Sequence, residues 1–475
     1  MGTTPDQTFK IDLSGPLTRE QAEAIYALGR EAVIWAIMVL STKGISNLPT
    51  PAGDVAPTPS TPSGMIPPYN KPSVRRRRKK PGAKVGHQGH ARQLPPITHR
   101  QEHPPLPCCP DCGTPFARPS ARRSRIIEDI AEMTPVVTEN IIPRHWCPQC
   151  QKMYEPPVPD ALPKATFGHR LVAFTAWLHY GLGATIATII SVLGHHLQFV
   201  LSEGGLVAAW QRYAAILFAW YEEIGQQLKD SGVLHADETG WRVSGQTVWL
   251  WCFTSPLATY YMIDRSRGSP ALSKFFTEAF DGILITDFWS AYNAVVCTGR
   301  QTCLPHLLRE LKKVDEQNGS AEWVEFSKKL GRLLKDAIRL KKKDLPESKY
   351  QSLRARLDYR LDYLIEMPWR DADVKRLVKR LRRYRQALFT FLDQDEVPSD
   401  NNHAEREIRP AVIIRKNSHG NRSGNGADTQ AILMSVYRTL KLRGLDPLDT
   451  IVAALKTYVI TGSLPPLPAG KPSVG

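Results

Sequence analysis

Three acidic residues, far apart in the chain, are the side chains best suited to catalysis. Asp237 and Asp287 each follow a short apolar run, so each is predicted at the end of a buried strand. Glu405 follows an Asp-Asn-Asn sequence, which is typical of a helix start because short polar side chains accept hydrogen bonds from free backbone amides. A single Asp at a strand end is usually a turn or capping residue. Three acids in one α/β pattern favour a shared site.

Carboxylates gathered at one point repel each other unless cations neutralise them. Two divalent ions about 3.5–4 Å apart would do this and would also clamp a phosphodiester for in-line attack. One ion would activate a water or a 3′-hydroxyl, and the other would stabilise the leaving oxygen. Magnesium prefers such carboxylate sites, with Mn²⁺ as a substitute. We therefore predict that Asp237, Asp287 and Glu405 bind two Mg²⁺ ions.

The elements around these acids predict an α/β fold. Three strands, a helix, a strand, another strand and a helix follow in that order, which describes a sheet whose acids emerge at adjacent strand ends. The predicted strands are Val233–Thr239, Val248–Thr254, Ala258–Ile263, Gly282–Asp287 and Gln301–Leu304, and the predicted helices cover about 270–280 and Pro305–Val314.

Four of the eight cysteines form two Cys-x-x-Cys pairs. Two thiolate pairs on tight turns provide four ligands for a tetrahedral, structural zinc, so we predict a zinc ribbon rather than disulfides. The gap between the pairs is long for such a site, and strands at Arg125–Ile130 and Val136–Ile142 are predicted to fill it. Cys108 is not assigned. The predicted zinc ligands are Cys109, Cys112, Cys147 and Cys150.

The charge of the chain indicates a polyanionic partner. The 475 residues contain 62 Lys+Arg against 46 Asp+Glu, a net charge of +16, and nucleic acid is the commonest partner of such a chain. The predicted partner is double-stranded DNA. One basic run is predicted to bind phosphates without sequence preference: Arg75, Arg76, Arg77, Arg78, Lys79 and Lys80. The helices predicted over 320–395 are also basic, and their charged face either lies along DNA or is only solvated.

The remaining segments are read from composition and periodicity. A capping box at Thr18–Gln21 opens a helix to about residue 41, and 46–72 is a Pro-rich linker. Residues 168–230 are predicted as His169–Tyr180, Ala184–Leu193 and Gly205–Gln227, with Gly181 and Gly194 as breaks. They resemble a helix-turn-helix arrangement, and a plain helical bundle is the alternative. Leu171–Ser202 carries no Asp, Glu, Lys or Arg, but its His, Gln and Gly residues favour a buried helical pair over a membrane span.

The predicted domains follow from these segments. No basic-then-apolar leader opens the chain, so no secretory signal is expected. The predicted division is an N-terminal helix (1–45), a linker and basic arm (46–100), a zinc ribbon (101–160), a helical domain (161–230), a catalytic domain (231–460) with a helical insertion at about 315–395, and a disordered tail (461–475).

Several of these motifs, in this order, resemble the insertion-sequence-66 family of DDE transposases. They are the KKPGAKVGHQGH arm, the paired cysteines, HADETGWRV, VWLWCFTS, the Arg265–Gly268 turn, GILITDFWSAY, CLPHLLREL, SDNNHAEREIRP and IIRKNSHGNRSG, and they cover about 18–460. The resemblance implies an RNase H-like core with a helical insertion, in which Asp237, Asp287 and Glu405 are the catalytic acids. It also implies that His306, in a Cys-x-x-His stretch, and Arg406 lie near the active site.

The resemblance further implies a reaction and partners. The reaction would be cleavage of element ends to free 3′-hydroxyls, followed by transesterification into target DNA. The protein would act as a homo-oligomer on DNA in the bacterial cytoplasm, at the nucleoid, without a membrane, and accessory transposition proteins are candidate partners. Prolines follow soon after Leu40, whereas the family commonly carries a longer leucine-zipper-like helix, so dimerisation through this helix stays open.

Two other functions compete with an active transposase. A DNA-binding regulator derived from an element would keep the fold without the chemistry, and the presence of all three acids argues against it. An RNase H-like, structure-specific nuclease would need neither the zinc ribbon nor the long basic arm.

Overall fold

The computed structural model describes residues 23, 25–27, 96–129 and 134–470. The predicted linker and the basic run at Arg75–Lys80 lie outside the described residues. Of the predicted N-terminal helix only residues 23 and 25–27 are described, and they are helical. The chain divides into two compact units, Met1–Ile66 and Pro67–Gly475, and every feature below lies in the second unit.

A five-stranded mixed sheet forms the centre of this unit, in the order β5-β4-β3-β6-β7. β3, β4 and β5 are antiparallel neighbours in chain order, whereas β6 pairs with β3, and β7 with β6, in parallel. The prediction of a mixed α/β fold is therefore confirmed. The strands are β3 (Val233–Val243), β4 (Gln246–Ser255), β5 (Ala258–Asp264), β6 (Phe280–Thr286) and β7 (Cys297–Thr302), and a separate hairpin contains β1 (His145–Cys147) and β2 (Lys152–Tyr154).

β3 is longer than predicted. The sequence indicated a short strand that ends beside Asp237, but β3 continues to Val243 because it pairs with β4 through a tight turn at Ser244 and Gly245. Both turn residues have positive φ, 51° and 76°, as two-residue hairpin turns require. The parallel pairing with β6 stops at His235, so Asp237 still lies just beyond the end of the parallel pair. β7 also begins and ends earlier than predicted.

Helices cover much of the rest of the described chain. Gly194 was predicted to break a helix, but the helix Ile186–Leu197 runs through it and ends before Gln198, which is left-handed with φ 53°. The helices are α1 (His169–Ala176, continued by a π-turn to Gly181), α2 (Ile186–Leu197), α3 (Glu203–Lys229), α4 (Ser269–Phe275), α5 (Leu304–Asp315), α6 (Ala321–Leu340), α7 (Glu347–Glu366), α8 (Ala372–Arg383), α9 (Thr390–Asp393), α10 (Asn402–Ser418), α11 (Gly424–Leu442) and α12 (Pro447–Thr461), with 3₁₀ turns at Ser290–Ala294 and Arg385–Ala387.

Two apolar cores meet at β6. Successive side chains of a strand point to opposite faces of the sheet. Leu284 belongs to the core formed with α1, α3, α10, α11 and the antiparallel strands, and the next residue, Ile285, belongs to the core formed with α5–α9. β6 is therefore held by buried contacts on both faces, which fixes the position of the residue that follows it, Asp287.

Two local predictions for the regions before the sheet are wrong. The described residues of Arg125–Ile130 and all of Val136–Ile142 form no strand. Their side chains have no apolar partner surface, as the exposures of Val136 (91%) and Ile141 (89%) show. The prediction of a buried helical pair is also wrong for the second helix, because α2 buries only Ile189 and Leu193. Within the described part of the chain, no helix has both the length and the apolar character needed to cross a membrane.

Candidate active site at the edge of the sheet

Asp237 and Asp287 belong to adjacent parallel strands, and their backbones fix both side chains. Asp287 directly follows β6, and its Oδ1 accepts a hydrogen bond from the backbone N–H of Trp289 at 2.8 Å. Oδ1 of Asp237, on β3, accepts one from the backbone N–H of Glu238 at 2.9 Å. Each carboxylate therefore keeps one oxygen, Oδ2, that these backbone N–H groups do not bind.

The environment of these two acids makes negative charge costly. Burial, with the charges of Glu238, Asp287 and Glu405, raises the pKa of Asp237 well above its ordinary value. Burial and the charge of Glu238 raise the pKa of Asp287 to about 7, although the N–H of Trp289 opposes that rise. Like charges in a buried site have this effect unless a cation joins them. A cation bound by both carboxylates would offset this cost.

Glu405 lies in the first turn of α10, as predicted, but it faces α5. Its Oε1 accepts a hydrogen bond from Nη2 of Arg309 at 2.9 Å and lies 3.6 Å from Nδ1 of His306. Its charge still raises the pKa of Asp237. The oxygens of Asp237, Asp287 and Glu405 do not all lie within 4.8 Å of one another. The structure thus brings the three acids into one region and leaves the third paired with the guanidinium of Arg309.

Asn401 attaches α10 to β3, a role that the sequence did not reveal. Its Nδ2 donates to the carbonyl of Ala236 at 2.8 Å, and its Oδ1 lies 3.0 Å from Nδ1 of His235. Because Oδ1 can only accept, His235 carries its proton on Nδ1. Burial lowers the pKa of His235 to about 4, so the ring is neutral. Asn401 makes no capping hydrogen bond with its side chain. The backbone amide at the start of α10 is bound instead by Asp400, whose Oδ1 accepts from the N–H of Asn402 at 3.0 Å.

A second acid beside Asp237 was also missed. Glu238 is almost fully buried, with a side-chain exposure of 3%, and accepts from Arg267 at 2.9 Å and from the hydroxyl of Tyr292 at 2.7 Å. The guanidinium of Arg267 lies between the rings of Trp249 and Trp289, 4.5 and 4.0 Å from their centroids. The adjacent Asp-Glu pair was the available signal. Alternation along the strand puts the two side chains on opposite faces.

His306 and Arg406 take different positions. His306 lies on α5 beside Glu405, and the ligand atoms of Cys303, His306 and Glu405 all lie within 4.8 Å of one another. Arg406 is exposed and lines a cavity with His235, Asp400 and His403. Arg309, the partner of Glu405, was missed. Its spacing of three from His306 on α5 was the signal, since such residues share a helix face.

The four predicted zinc ligands form two turns of the expected kind. Gly113, with φ 75°, closes the first turn by donating to the carbonyl of Cys109 at 2.9 Å. In the second, the N–H of Cys150 donates to Sγ of Cys147 at 3.4 Å. Hydrogen bonds, first that of Thr114, hold the pKa of Cys112 below its ordinary value. Each turn suits zinc, while the four sulfurs do not lie in one group within 4.8 Å.

Comparison with known proteins fits this arrangement. A family model described as "Transposase IS66 family" matches residues 164–429, more than half of the chain. The chain belongs to the IS66 transposase family. A second model, described as the zinc-finger binding domain of transposase IS66, matches residues 107–151 and includes all four predicted zinc ligands.

Two curated relatives from Sinorhizobium fredii (strain NBRC 101917 / NGR234) are similar to this IS66-family chain. "Uncharacterized protein y4qI" is 26% identical over 282 residues, which are 53% of this chain and 52% of the relative. "Uncharacterized protein y4jD" is 25% identical over 232 residues, which are 45% of this chain and 44% of the relative. The chain thus matches about half the length of each relative, and neither name states an activity.

The acids fit divalent cations. Asp237 and Asp287 offer hard oxygen ligands, which suit Mg²⁺, and burial raises the pKa of both, as in a site that lacks a compensating cation. Glu405 offers a third carboxylate from the adjoining helix once it leaves Arg309.

Proposed function

We propose that this IS66-family protein is an active DDE transposase that cleaves element ends and joins their 3′-hydroxyls to target DNA. The proposal rests chiefly on one observation: two partly buried acids on adjacent parallel strands lie close enough to a third acid at a helix start that its charge raises the pKa of Asp237. The strand order β5-β4-β3-β6-β7, with three antiparallel strands followed by two parallel ones, supports an RNase H-like core.

The three acids have distinct roles in this proposal. Asp237, Asp287 and Glu405 would hold two Mg²⁺ ions. When bound, these ions supply Lewis acidity to the phosphodiester and lower the pKa of the attacking oxygen. Asp287 would bind as the carboxylate, and its position directly after β6 keeps its free oxygen in place. Arg309 releases Glu405, and Asn401 keeps the start of α10 against β3. His306 lies 3.6 Å from the third acid, and Arg406, the next residue after it, lines the adjoining cavity.

A basic surface on α8 supports DNA as the partner. α8 buries Val374 and Leu377 in the second core while its cationic side chains Lys375, Lys379 and Arg383 are exposed. We propose that this face binds phosphates together with the basic run at 75–80, and that zinc at the four cysteines stabilises the ribbon. A homo-oligomer on DNA, helped by accessory proteins at the nucleoid, belongs to the same proposal, as do the predicted domain boundaries.

A joining assay tests the function. The full chain, Mg²⁺ and a duplex ending in the repeats that flank its gene should give strand-transfer products with target DNA, and EDTA should abolish them. A duplex with scrambled ends is the control. Binding of the true ends without any joining under Mg²⁺ or Mn²⁺ would favour the regulator over the transposase.

The basic run gives an independent test of DNA binding. Replacing all six residues at 75–80 by Gln should weaken binding to every sequence and reduce the slope of log affinity against log salt by up to about five units. Replacing Lys164 and Lys441, which are exposed and lie outside both the run and the basic helices of 320–395, by Gln is the control. An unchanged salt slope in the six-residue variant would show that the run does not bind phosphates.

A further inference from the structure

Beside the proposed magnesium site, three side chains form a group of a different chemical kind. Cys303 immediately precedes α5, His306 lies in its first turn, and Glu405 approaches from α10, with all their ligand atoms within 4.8 Å of one another. It is the only such group of His, Cys, Asp and Glu among residues 23, 25–27, 96–129 and 134–470.

The backbone holds this group as firmly as it holds Asp287. The N–H of Cys303 donates to the carbonyl of Thr286 at 2.9 Å, and Cys303 Sγ accepts from the N–H of Asn401 at 3.3 Å. One residue therefore connects the end of β6, the start of α5 and the start of α10. Cys303 is fully buried, with 0% exposure, so its sulfur faces the group and not solvent.

His306 supplies a second observation that points to a ligand. Its Nδ1 is buried and makes no hydrogen bond, although Glu405 Oε1 lies 3.6 Å away. Leaving a buried polar atom without a partner costs free energy, so such atoms in folded proteins usually bind a water molecule or an ion. A cation between the imidazole and the carboxylate would satisfy this nitrogen.

We propose that Cys303, His306 and Glu405 form a binding site for a Zn²⁺-class transition-metal ion, distinct from the ribbon cysteines and from the paired Asp site. Thiolate and imidazole select zinc over magnesium, and three protein ligands leave a fourth position for water. The consequence, which rests on the proposed function, is inhibition, because zinc would hold Glu405 on α5 and keep it from Asp237 and Asp287.

Arg309 competes with this ion. Its Nη2 occupies Glu405 Oε1 at 2.9 Å, and its side chain is about half exposed, at 54%. Removing an exposed ion pair of this kind, as in Arg309→Gln, should tighten zinc binding by about two- to fivefold.

Metal content tests the site directly. The full chain, equilibrated with micromolar Zn²⁺ and desalted, should hold about one equivalent more zinc than Cys303→Ser or His306→Gln, since losing a ligand weakens a site by at least about tenfold. Cys297→Ser, which removes a half-buried thiol outside the group, should keep the wild-type content. Thermal melting in EDTA checks that the variants fold. Equal zinc content in the wild type and both ligand variants would overturn the site.

The inhibition is measured separately. Zn²⁺ added to the Mg²⁺-dependent joining reaction should slow the wild type by at least about tenfold while slowing Cys303→Ser much less. Equal inhibition of the two proteins would overturn the proposed effect on Glu405. If neither protein joins DNA in the absence of zinc, the proposed function fails, whereas the metal content still decides whether the site exists.

Discussion

The acids on the strands and the acid on the helix are held in different ways. Asp237 and Asp287 are bound by backbone N–H groups at the edge of a sheet that is buried on both faces, and burial raises the pKa of both. Glu405, with a side-chain exposure of 28%, is bound by a side chain of another helix, Arg309, and lies 3.6 Å from Nδ1 of His306.

This difference separates a fixed half of the candidate site from an adjustable half. A backbone partner cannot move without moving the strand, whereas a long side chain such as Arg309 exchanges partners by rotamer changes alone. Cations entering at Asp237 and Asp287 would therefore find these two ligands in place. Binding of Glu405 would require the exchange of one exposed ion pair, which costs little.

The largest expected effect comes from neutralising a strand acid. Asp237→Asn keeps the shape of the side chain but removes the charge that would hold the ions, so joining should fall by at least about a thousandfold, corresponding to several kcal/mol of transition-state stabilisation. DNA binding should persist, because the exposed cations are untouched. Joining is measured in the strand-transfer assay and binding by gel shift.

The matched control for this substitution is Asp281→Asn. Asp281 lies near the opposite end of β6, is exposed and binds only the hydroxyl of Thr298 at 2.8 Å. It should retain full activity. Joining by Asp237→Asn at the rate of this control would remove Asp237 from the catalytic assignment.

The next effect concerns the junction between the two halves. Asn401→Ala leaves the carbonyl of Ala236 and Nδ1 of His235 without their partner in a buried site, which should lower the free energy of unfolding by about 2–3 kcal/mol. Asn402→Ala, at the next and exposed position, should change it by less than about 0.5 kcal/mol. Urea unfolding measures both. Equal stabilities of the two variants would mean that Asn401 does not anchor α10.

Much of the fixed half could be predicted from the sequence. Apolar runs that end in an acid located β3 and β6, and the Asp-Asn-Asn sequence located the start of α10, because these signals are local. The length of β3 was underestimated for two reasons. Its pairing with β4 depends on the turn at Ser244 and Gly245, and polar residues such as Arg242 obscure the hydrophobic pattern that would indicate a strand.

Most side-chain contacts of the adjustable half could not be predicted from the sequence. Arg309 and Glu405 are 96 residues apart, and Asn401 and Ala236 are 165 apart, so nothing local indicates that they touch. The two strands predicted between the cysteine pairs failed for the opposite reason. A β-branched pattern was present, but no partner surface covers it.

The pH dependence of stability offers a smaller effect that belongs to the strand acids. The folded-state pKa of Asp287, about 7, lies above its unfolded value near 3.8, so folding favours the protonated form. In EDTA, stability should therefore fall as pH rises from about 5 to about 7, by about 2 kcal/mol. The raised pKa of Asp237 adds a fall of its own, so Asp287→Asn should reduce the total fall without abolishing it. Urea unfolding at several pH values measures this, and an unchanged slope in Asp287→Asn would contradict the burial of that acid.

The smallest effect comes from freeing the helix acid. Arg309→Gln removes the charge that pairs with Glu405 but leaves the backbone of α5 and the buried Cys303 unaltered. Because the pair is exposed, the gain should be below about 1 kcal/mol, which corresponds to a two- to fivefold lower Mg²⁺ concentration for half-maximal joining. Arg332→Gln on α6 controls for the loss of one positive charge. A Mg²⁺ requirement that rises in Arg309→Gln would mean that Arg309 positions Glu405 for the ions, and the third acid would then be as fixed as the two on the strands.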